Sequence, residues 1–210
     1  MDAGSGAAAG PPAAYTASPT AARCGQKTVL IDLDPQASAY DWNESRDETR
    51  KLDATKATAA QLAARLQQAK AGGIDLAIID TAPHSDSAAA IAAQLADLLL
   101  IPCRPARFDL AAMIKTLEIA RAANTIAVVV LNAARRGKRK TAEARVALEG
   151  IGASVYPSVI HDWVALEDAL IDGRAVHEYE PDGKAAEEIE KLYNHVSGLL
   201  GDITSKKRVA

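Results

Sequence analysis

Residues 27–36 read KTVLIDLDPQ, a short apolar run that ends in two acidic residues and a proline. Aliphatic and β-branched residues at this density are typical of a strand that is buried on both faces. Pro35 ends the strand, because proline has no N–H to donate to a neighbouring strand. The stretch therefore predicts a strand over residues 27–34 that carries Asp32 and Asp34 at its carboxyl end.

The rest of the chain alternates similar apolar runs with helical segments. Further strands are predicted at residues 74–80, 97–102, 125–132 and 153–157, and helices at residues 56–71, 85–96, 110–123, 141–150, 163–171 and 183–200. Strands that alternate with helices and are apolar on both faces form a parallel sheet with helices on both sides. We therefore expect an α/β fold, with a mostly parallel sheet and helices on both faces.

The composition changes abruptly near residue 21. Residues 1–20 consist mainly of Ala, Gly, Pro, Ser and Thr, and so few large apolar side chains cannot offset the entropy lost on ordering. We expect residues 1–20 to be a disordered or non-native N-terminal segment and residues 21–203 to form one domain. Residues 204–210 carry three basic side chains, and we expect them to be a frayed basic tail.

Net charge and hydropathy exclude some classes of partner. The net charge of -3 gives no overall attraction to nucleic acid, so any such contact requires a local basic patch. No stretch approaches the roughly 20 apolar residues of a membrane span, and the N-terminus lacks the pattern of a signal peptide. We therefore expect a cytoplasmic protein with no membrane contact.

Acidic residues mark the carboxyl ends of two predicted strands. Asp32 and Asp34 form a D-x-D pair, and alternation along a strand predicts both on one face. Two carboxylates that face one cleft repel each other unless a cation or hydrogen-bond donors compensate. Asp80 ends the strand in LAIIDTAP, a position that suits Mg²⁺, bound directly or through water. The alternatives are a helix N-cap at Asp80 and a polar strand end at the D-x-D pair.

Four stretches, in order, resemble the small ParA proteins of the ParA/MinD family of deviant-Walker partition ATPases. They read VLIDLDPQASAYDW, LAIIDTAP, LLLIPCRPARFDL and GRAVHEYEPDGKAAEEIEKL. The resemblance implies a P-loop NTPase-like fold that hydrolyses ATP with Mg²⁺ and forms a homodimer. It also implies binding to nonspecific DNA, association with the nucleoid, a small ParB-like adaptor protein as partner, and a role in plasmid or chromosome segregation.

The resemblance also implies roles for particular residues. Asp34 matches the acid that positions the attacking water, which makes it the candidate catalytic residue. Asp80 matches the Walker B acid, which holds Mg²⁺ through water. The candidate nucleotide-binding residues are Asp32, Pro102, Asp109 and Asn132.

A dense basic run, RRGKRK, occupies residues 135–140 and follows a predicted strand, so we expect a surface loop there. Charged runs are often only solvated, but the resemblance implies a DNA contact, and phosphates bind such a patch in a salt-dependent manner. The candidate DNA-binding residues are Arg135, Arg136, Lys138, Arg139 and Lys140.

The phosphate-binding loop of the family is not recognisable. The family begins with a strand, a K-G-G-x-G-K-[ST]-[ST] loop and a helix, about 20–25 residues before the position of Asp34. Here residues 6–12 read GAAAGPP, and residues 1–26 contain no lysine. The sequence G-Q-K-T at residues 25–28 leads into a strand instead of following one, so it does not fit a P-loop.

Two explanations for the missing loop stay open, a gene-start or frame error and a truly degenerate copy. They correspond to two functions, a partition-type ATPase and a non-enzymatic pseudo-ATPase that acts as a binding module. A metabolic ligase of the same fold, similar to dethiobiotin synthetase or cobyrinate amidase, is the third alternative. The D-x-D-P-Q stretch and the closing GKAAEEIEKL favour partition over the ligase.

We expect the 210-residue chain to bind ATP more weakly than micromolar and to hydrolyse it negligibly. The physical reason is the missing lysine and backbone N–H cradle, which neutralise phosphate charge in such sites. Isothermal titration calorimetry with Mg-ATP measures the affinity, and a micromolar dissociation constant would contradict this expectation.

Overall fold

The structure is a computed structural model that describes residues 19–82, 86–105, 107–135 and 137–209. Within these ranges the strands are β1 (Thr28–Asp32), β2 (Asp53–Lys56), β3 (Leu76–Asp80), β4 (Leu98–Cys103), β5 (Ile126–Leu131) and β6 (Ser154–Val155). The helices are α1 (residues 19–23), α2 (Ser38–Ser45), α3 (Leu62–Ala71), α4 (Asp86–Leu95), α5 (Arg107–Ala122), α6 (Lys138–Gly150), α7 (Val164–Ile171), α8 (Val176–Tyr179) and α9 (Lys184–Val209).

The strands pair only in parallel within the described residues and form two three-stranded sheets. In the first sheet β1 lies between β2 and β3, and in the second β5 lies between β4 and β6. The parallel pairing confirms the predicted fold class. The expected single sheet is instead divided, because no described strand joins β3 to β4.

Alternate residues of the central strand β5 pack against helices on opposite faces of the sheet. Val128 and Val130 belong to a core cluster with residues of α7 and α9, such as Leu166 and Ile189. Val129 and Leu131 belong to a second cluster, whose helical members come from α5 and α6 and include Met113, Leu117 and Leu148. The helices therefore cover both faces, as the apolar character of the strand predicts.

The first sheet is packed in the same way. Leu30 of β1 contacts Ala39 and Trp42 of α2, whereas the next residue, Ile31, packs with Leu62 of α3 and Ala92 of α4. Both Leu30 and Ile31 are fully buried.

One strand of the first sheet and one helix that packs on it are absent from the sequence prediction. Strand β2 reads DATK and has no apolar run, and helix α2 reads SAYDWNES and is mostly polar. The predicted helix at residues 56–71 begins too early, because Lys56 ends β2 and α3 begins at Leu62. The Thr58 N–H donates to Gln61 Oε1 at 3.0 Å just before α3, which fixes the turn that leads into it.

Both predicted chain ends shift in the structure. Pro19 and Thr20 are helical and buried, so the packed chain begins before the predicted boundary at residue 21, while residues 1–18 lie outside the described residues. Helix α9 continues to Val209, nine residues beyond the predicted end at Leu200. Fraying of residues 204–210 stays a prediction.

A buried ion pair ties the end of α2 to α8. The Arg46 side chain is 1% exposed, and its Nη2 lies 2.9 Å and 3.2 Å from the two carboxylate oxygens of Glu178. The guanidinium also donates through Nε to the Arg50 carbonyl and stacks 4.6 Å from the centre of the Trp42 ring. Because Arg46 is almost inaccessible to water, removing it would leave the Glu178 carboxylate without its main compensating charge.

Replacing Arg46 with Met should lower the free energy of unfolding by about 3 kcal/mol, because it leaves the mostly buried Glu178 carboxylate without its ion-pair partner. Adding Glu178→Gln should recover part of the loss, since the unpaired charge is then removed. Urea unfolding measures both effects. Arg139→Met is the matched control, because the Arg139–Glu143 pair is largely exposed and its loss should leave the midpoint unchanged. Equal losses for Arg46→Met and Arg139→Met would contradict the account.

Candidate functional site

The register of β1 against β3 brings two carboxylates together at the edge of the first sheet. Asp32 is the last residue of β1, Asp80 is the last residue of β3, and the two are paired across the strands. Since parallel strands end at the same edge, both side chains lie where ligands bind in open α/β sheets.

Asp32 holds the loop that follows β1. Asp32 is 1% exposed, and its carboxylate accepts the Asp34 N–H through Oδ1 and the Tyr40 N–H through Oδ2, each at 2.9 Å. These bonds fix the chain from the strand end to the first turns of α2. The structure therefore gives Asp32 a positioning role, and direct contact with a nucleotide stays a prediction.

Asp34 lies in this loop and not on the strand, so the alternation argument does not apply to it. Strand β1 ends at Asp32, and Asp34 Oδ1 accepts the Gln36 N–H at 2.9 Å. The turn closes with the Ala37 N–H on the Asp34 carbonyl, and Ala37 takes a left-handed conformation with φ of 52°. Asp34 is half-buried, beside the two strand ends.

Electrostatics single out Asp80. Burial raises the pKa of the Asp80 carboxyl from 3.8 to about 6, and the negative charges of Asp32 and Asp34 add to the rise. A hydrogen bond from the Thr81 N–H opposes the effect. Two N–H groups stabilise the negative charge of Asp32. The charge of Asp80 is instead disfavoured by burial and by the neighbouring charges of Asp32 and Asp34. A cation at this edge would relieve that cost.

The other predicted nucleotide-binding residues belong to the second sheet. Pro102 is the exposed penultimate residue of β4, and Asn132 directly follows β5 with its N–H bonded to the Cys103 carbonyl at 2.8 Å. Asp109 lies in the first turn of α5. Pro102 and Asn132 thus lie at the carboxyl ends of β4 and β5, and their contact with a nucleotide stays a prediction.

A cleft of about 560 Å³ lies beyond the carboxyl end of β5, lined by residues that include Arg135, Trp163, Glu180 and Lys184. Glu188 of α9 fixes one wall, because its carboxylate contacts the His161 N–H at 2.9 Å, His161 Nδ1 at 2.7 Å and Trp163 Nε1 at 2.9 Å. Sequence reasoning missed Lys184 and Glu188, although both fall within the GKAAEEIEKL stretch that carries the resemblance.

The basic run is only partly a loop. Arg135 is exposed, but α6 begins at Lys138, so the last three residues of the run form the first turn of a helix and not the loop that the sequence predicts. Cations at a helix N-terminus are unfavourable, and Arg139 is compensated by Glu143, 2.9 Å away. Lys140 is exposed, and Arg136 lies outside the described residues.

The residues described in the structure supply only part of a Mg-nucleotide site. The acids at the edge fit the magnesium side, although no group of three or more His, Cys, Asp or Glu that could hold a metal occurs in the described ranges. Lys27 precedes the first residue of β1, so it lies at the opposite end of the sheet from Asp32 and Asp80. G-Q-K-T at residues 25–28 therefore cannot serve these carboxylates as a phosphate cradle.

No helix among the described residues is both long enough and apolar enough to cross a membrane. No protein-family profile matches the chain.

Comparison with solved structures defines the class of protein. A structure of apo McdA from Cyanothece aligns with a TM-score of 0.73 and 18% identity, over 92% of this chain and 95% of that one. The septum site-determining protein MinD of Pyrococcus horikoshii, complexed with Mg-ADP, aligns with a TM-score of 0.69 and 17% identity, over 91% and 92% of the two chains. The fold is therefore that of the P-loop NTPases of the ParA/MinD type.

Sequence similarity then shows the family. The maintenance of carboxysome distribution protein A of Gloeobacter kilaueensis is 31% identical over 178 residues, which cover 83% of this chain and 81% of the relative. The chain belongs to the ParA/MinD family of positioning ATPases.

Replacing Asp80 with Asn should stabilise the metal-free protein above about pH 6. The folded-state pKa lies above the ordinary value of 3.8, so the folded state holds the proton more tightly than the unfolded state. The cost of ionising Asp80 in the fold is therefore absent below about pH 4 and fully present above about pH 6, where it is at most about 3 kcal/mol.

Urea unfolding in EDTA at pH 4 and at pH 7.5 tests this expectation. The Asp80→Asn variant should gain stability only at the higher pH, while Asp53→Asn, at an exposed position, should show no such difference. A gain of equal size at both pH values would show that Asp80 is not held in an unfavourable ionised state.

Proposed function

We propose that this chain is the switch domain of a cargo-positioning ATPase, impaired in ATP binding by its missing phosphate loop. The carboxyl edge of its strands forms the magnesium side of a Mg-ATP site, and with the loop supplied it binds Mg-ATP and pairs with a second copy. The observation that carries the proposal is the alignment of Asp80 with Asp32 and the raised pKa of Asp80 among three acids. The Mg-ADP complex of the MinD structure supports a nucleotide as ligand of this fold.

Each acid has a separate role in the proposal. Asp80 would hold Mg²⁺ through water, and Mg²⁺ would supply the charge that neutralises the phosphates. Asp34, on the loop that Asp32 anchors, orients the attacking water. The base lies toward the second sheet, where Asn132, Pro102 and Asp109 are the candidate contacts.

The cargo is the finer part of the proposal. The curated relative is named for maintenance of carboxysome distribution, which favours a large intracellular body of that kind as cargo. A plasmid or chromosome, implied by the resemblance to ParA, is the alternative cargo. In both cases nonspecific DNA of the nucleoid is the surface on which the dimer is retained, through Arg135, Lys140 and their neighbours, and a small adaptor protein links it to the cargo.

A pseudo-ATPase that acts as a binding module is the second candidate. Two observations favour it, the absence of lysine from residues 1–26 and the position of Lys27 at the far end of β1. The two candidates differ in whether the chain binds Mg-ATP once a phosphate-binding loop is supplied.

Grafting the missing block should separate them. The graft replaces residues 1–18, which precede the helical residues 19–23, with an apolar strand, K-G-G-x-G-K-T-T and the first turns of a helix. We expect Mg²⁺-dependent ATP binding, dimerisation and slow ATP hydrolysis to appear together, because the acids already stand at adjacent strand ends. Calorimetry, light scattering and a phosphate-release assay measure the three properties.

Variants of the grafted protein test each role. Asp34→Ala should retain ATP binding and lose hydrolysis, whereas Asp80→Ala should weaken the Mg-ATP complex itself. Changing the five basic residues of the 135–140 run to Gln should reduce DNA retention and its salt dependence without changing ATP affinity. A grafted protein that still does not bind ATP would decide for the pseudo-ATPase.

A further inference from the structure

The outward face of α7 carries apolar side chains that are open to solvent. Val164 is 69% exposed and Ile171 is 86% exposed, the two highest values among the large apolar residues of the described ranges. The two residues are seven positions apart, so they lie on one side of the helix, about 10 Å from each other. Single exposed apolar side chains are ordinary, but two in line on one helix face form a stripe of the kind found at interaction sites.

The inner face of α7 is held firmly by the core. Leu166 and Ala169 are buried in the core cluster that includes residues of α9, and Leu170 packs against the cluster that contains Trp42 of α2. Because α7 is anchored on this side, its outward face keeps a fixed position. A partner that binds a face of this kind does not have to order it first.

Two carboxylates flank the apolar stripe. Glu167 and Asp168 lie between the two exposed apolar residues along α7, one on each side of the line that joins them. Neither carboxylate has an ion pair or a side-chain hydrogen bond within the described part of the chain. Asp172, just beyond the helix, is instead paired with Arg174. The stripe is therefore surrounded by uncompensated negative charge.

The cleft of about 560 Å³ adjoins the amino end of this stripe, because Val164 belongs to both. The apolar part of the cleft lining also includes Trp163, Ala165 and Ala185. The indole of Trp163 is fixed in place, since its Nε1 donates to a carboxylate oxygen of Glu188 at 2.9 Å. The cleft thus offers a preformed apolar wall at one end of the stripe.

Charge decides between the classes of partner. The phosphates of nucleic acid and of anionic lipids are repelled by free carboxylates. A second copy that docked symmetrically through α7 would place Glu167 and Asp168 against the same two acids. A cationic partner gains from both charges, and apolar side chains about 10 Å apart occur at positions i and i+7 of a facing helix.

We propose that the α7 surface, formed by Trp163, Val164, Glu167, Asp168 and Ile171, docks a basic amphipathic helix of a separate protein. Two apolar side chains of that helix, seven residues apart, contact Val164 and Ile171, and the first of them extends into the cleft beside Trp163. Lysine or arginine side chains next to them pair with the two carboxylates. The contact uses none of the acids at the edge of the first sheet and needs no nucleotide, so failures of helix binding and of ATP binding are separate results.

The test uses the full chain and a labelled helical peptide of about 18 residues, with Leu at heptad spacing, Lys beside each Leu and Ala elsewhere. Fluorescence anisotropy should show saturable binding without nucleotide, which weakens as the salt concentration rises. In nitrogen-15 NMR spectra the amide shifts should change most at residues 162–172, and should not change in β2 or α3.

Substitutions of the apolar residues test the stripe. Val164→Ser and Ile171→Ser should each weaken peptide binding at least about fivefold, because each removes an apolar contact that the peptide buries. Val146→Ser is the matched control, since Val146 of α6 is 68% exposed but lies on another helix, and it should leave binding unchanged.

Charge reversal tests the two carboxylates. The double change Glu167→Lys and Asp168→Lys should weaken binding at least about tenfold and remove most of its salt dependence. The control is the double change Glu118→Lys and Glu149→Lys, at exposed positions of α5 and α6, which should have little effect because salt screens distant charges.

Two further peptides complete the test. A scrambled peptide of the same composition, which has no apolar face, should bind at least about tenfold more weakly, and a peptide with Glu in place of Lys should not bind. The proposal is overturned if the scrambled peptide binds equally well, if Val146→Ser weakens binding as much as Ile171→Ser, or if the shift changes lie outside the α7 surface. A dimer in light scattering that Ile171→Ser dissociates would also overturn it, because a second copy would then cover this face.

Discussion

The parallel pairing of β1 with β3 places Asp32 and Asp80 side by side, and the chemistry of the site depends on that register. A shift of one residue would turn one of the two side chains to the other face of the sheet. The register is held by the buried apolar residues of β1, which pack against helices on both faces.

The three acids share one edge but differ in how the fold compensates them. Asp32 accepts two backbone N–H hydrogen bonds, which stabilise its charge and fix the loop that follows. Asp80 is largely buried and is repelled by the charges of its neighbours, and these two effects raise its pKa to about 6. The fold therefore builds a position where a cation is favoured while the loop that carries Asp34 is already in place.

Long apolar strands and their acidic ends could be predicted from the sequence, because burial on both faces leaves a clear pattern in β1, β3, β4 and β5. Strand β2 could not, since its four residues pair through the backbone and carry no apolar run. The Arg46–Glu178 pair joins residues 132 positions apart, and the three contacts of Glu188 depend on where α9 packs. The division of the sheet between β3 and β4 could not be predicted either, because an apolar run looks the same in a strand that is paired on one edge and in a strand that is paired on both.

The measurement closest to the central claim is the titration of the Asp80 side chain itself. Carbon-13 NMR of the carboxyl groups in EDTA, assigned with Asp80→Asn, gives its pKa directly in the full chain. We expect a midpoint of about 6, which moves toward 3.8 when Asp34 is changed to Asn and one repelling charge is removed. A midpoint at 3.8 in the unaltered protein, unaffected by Asp34→Asn, would mean that the acids do not form a shared edge and that the proposed magnesium side of the site is not preformed.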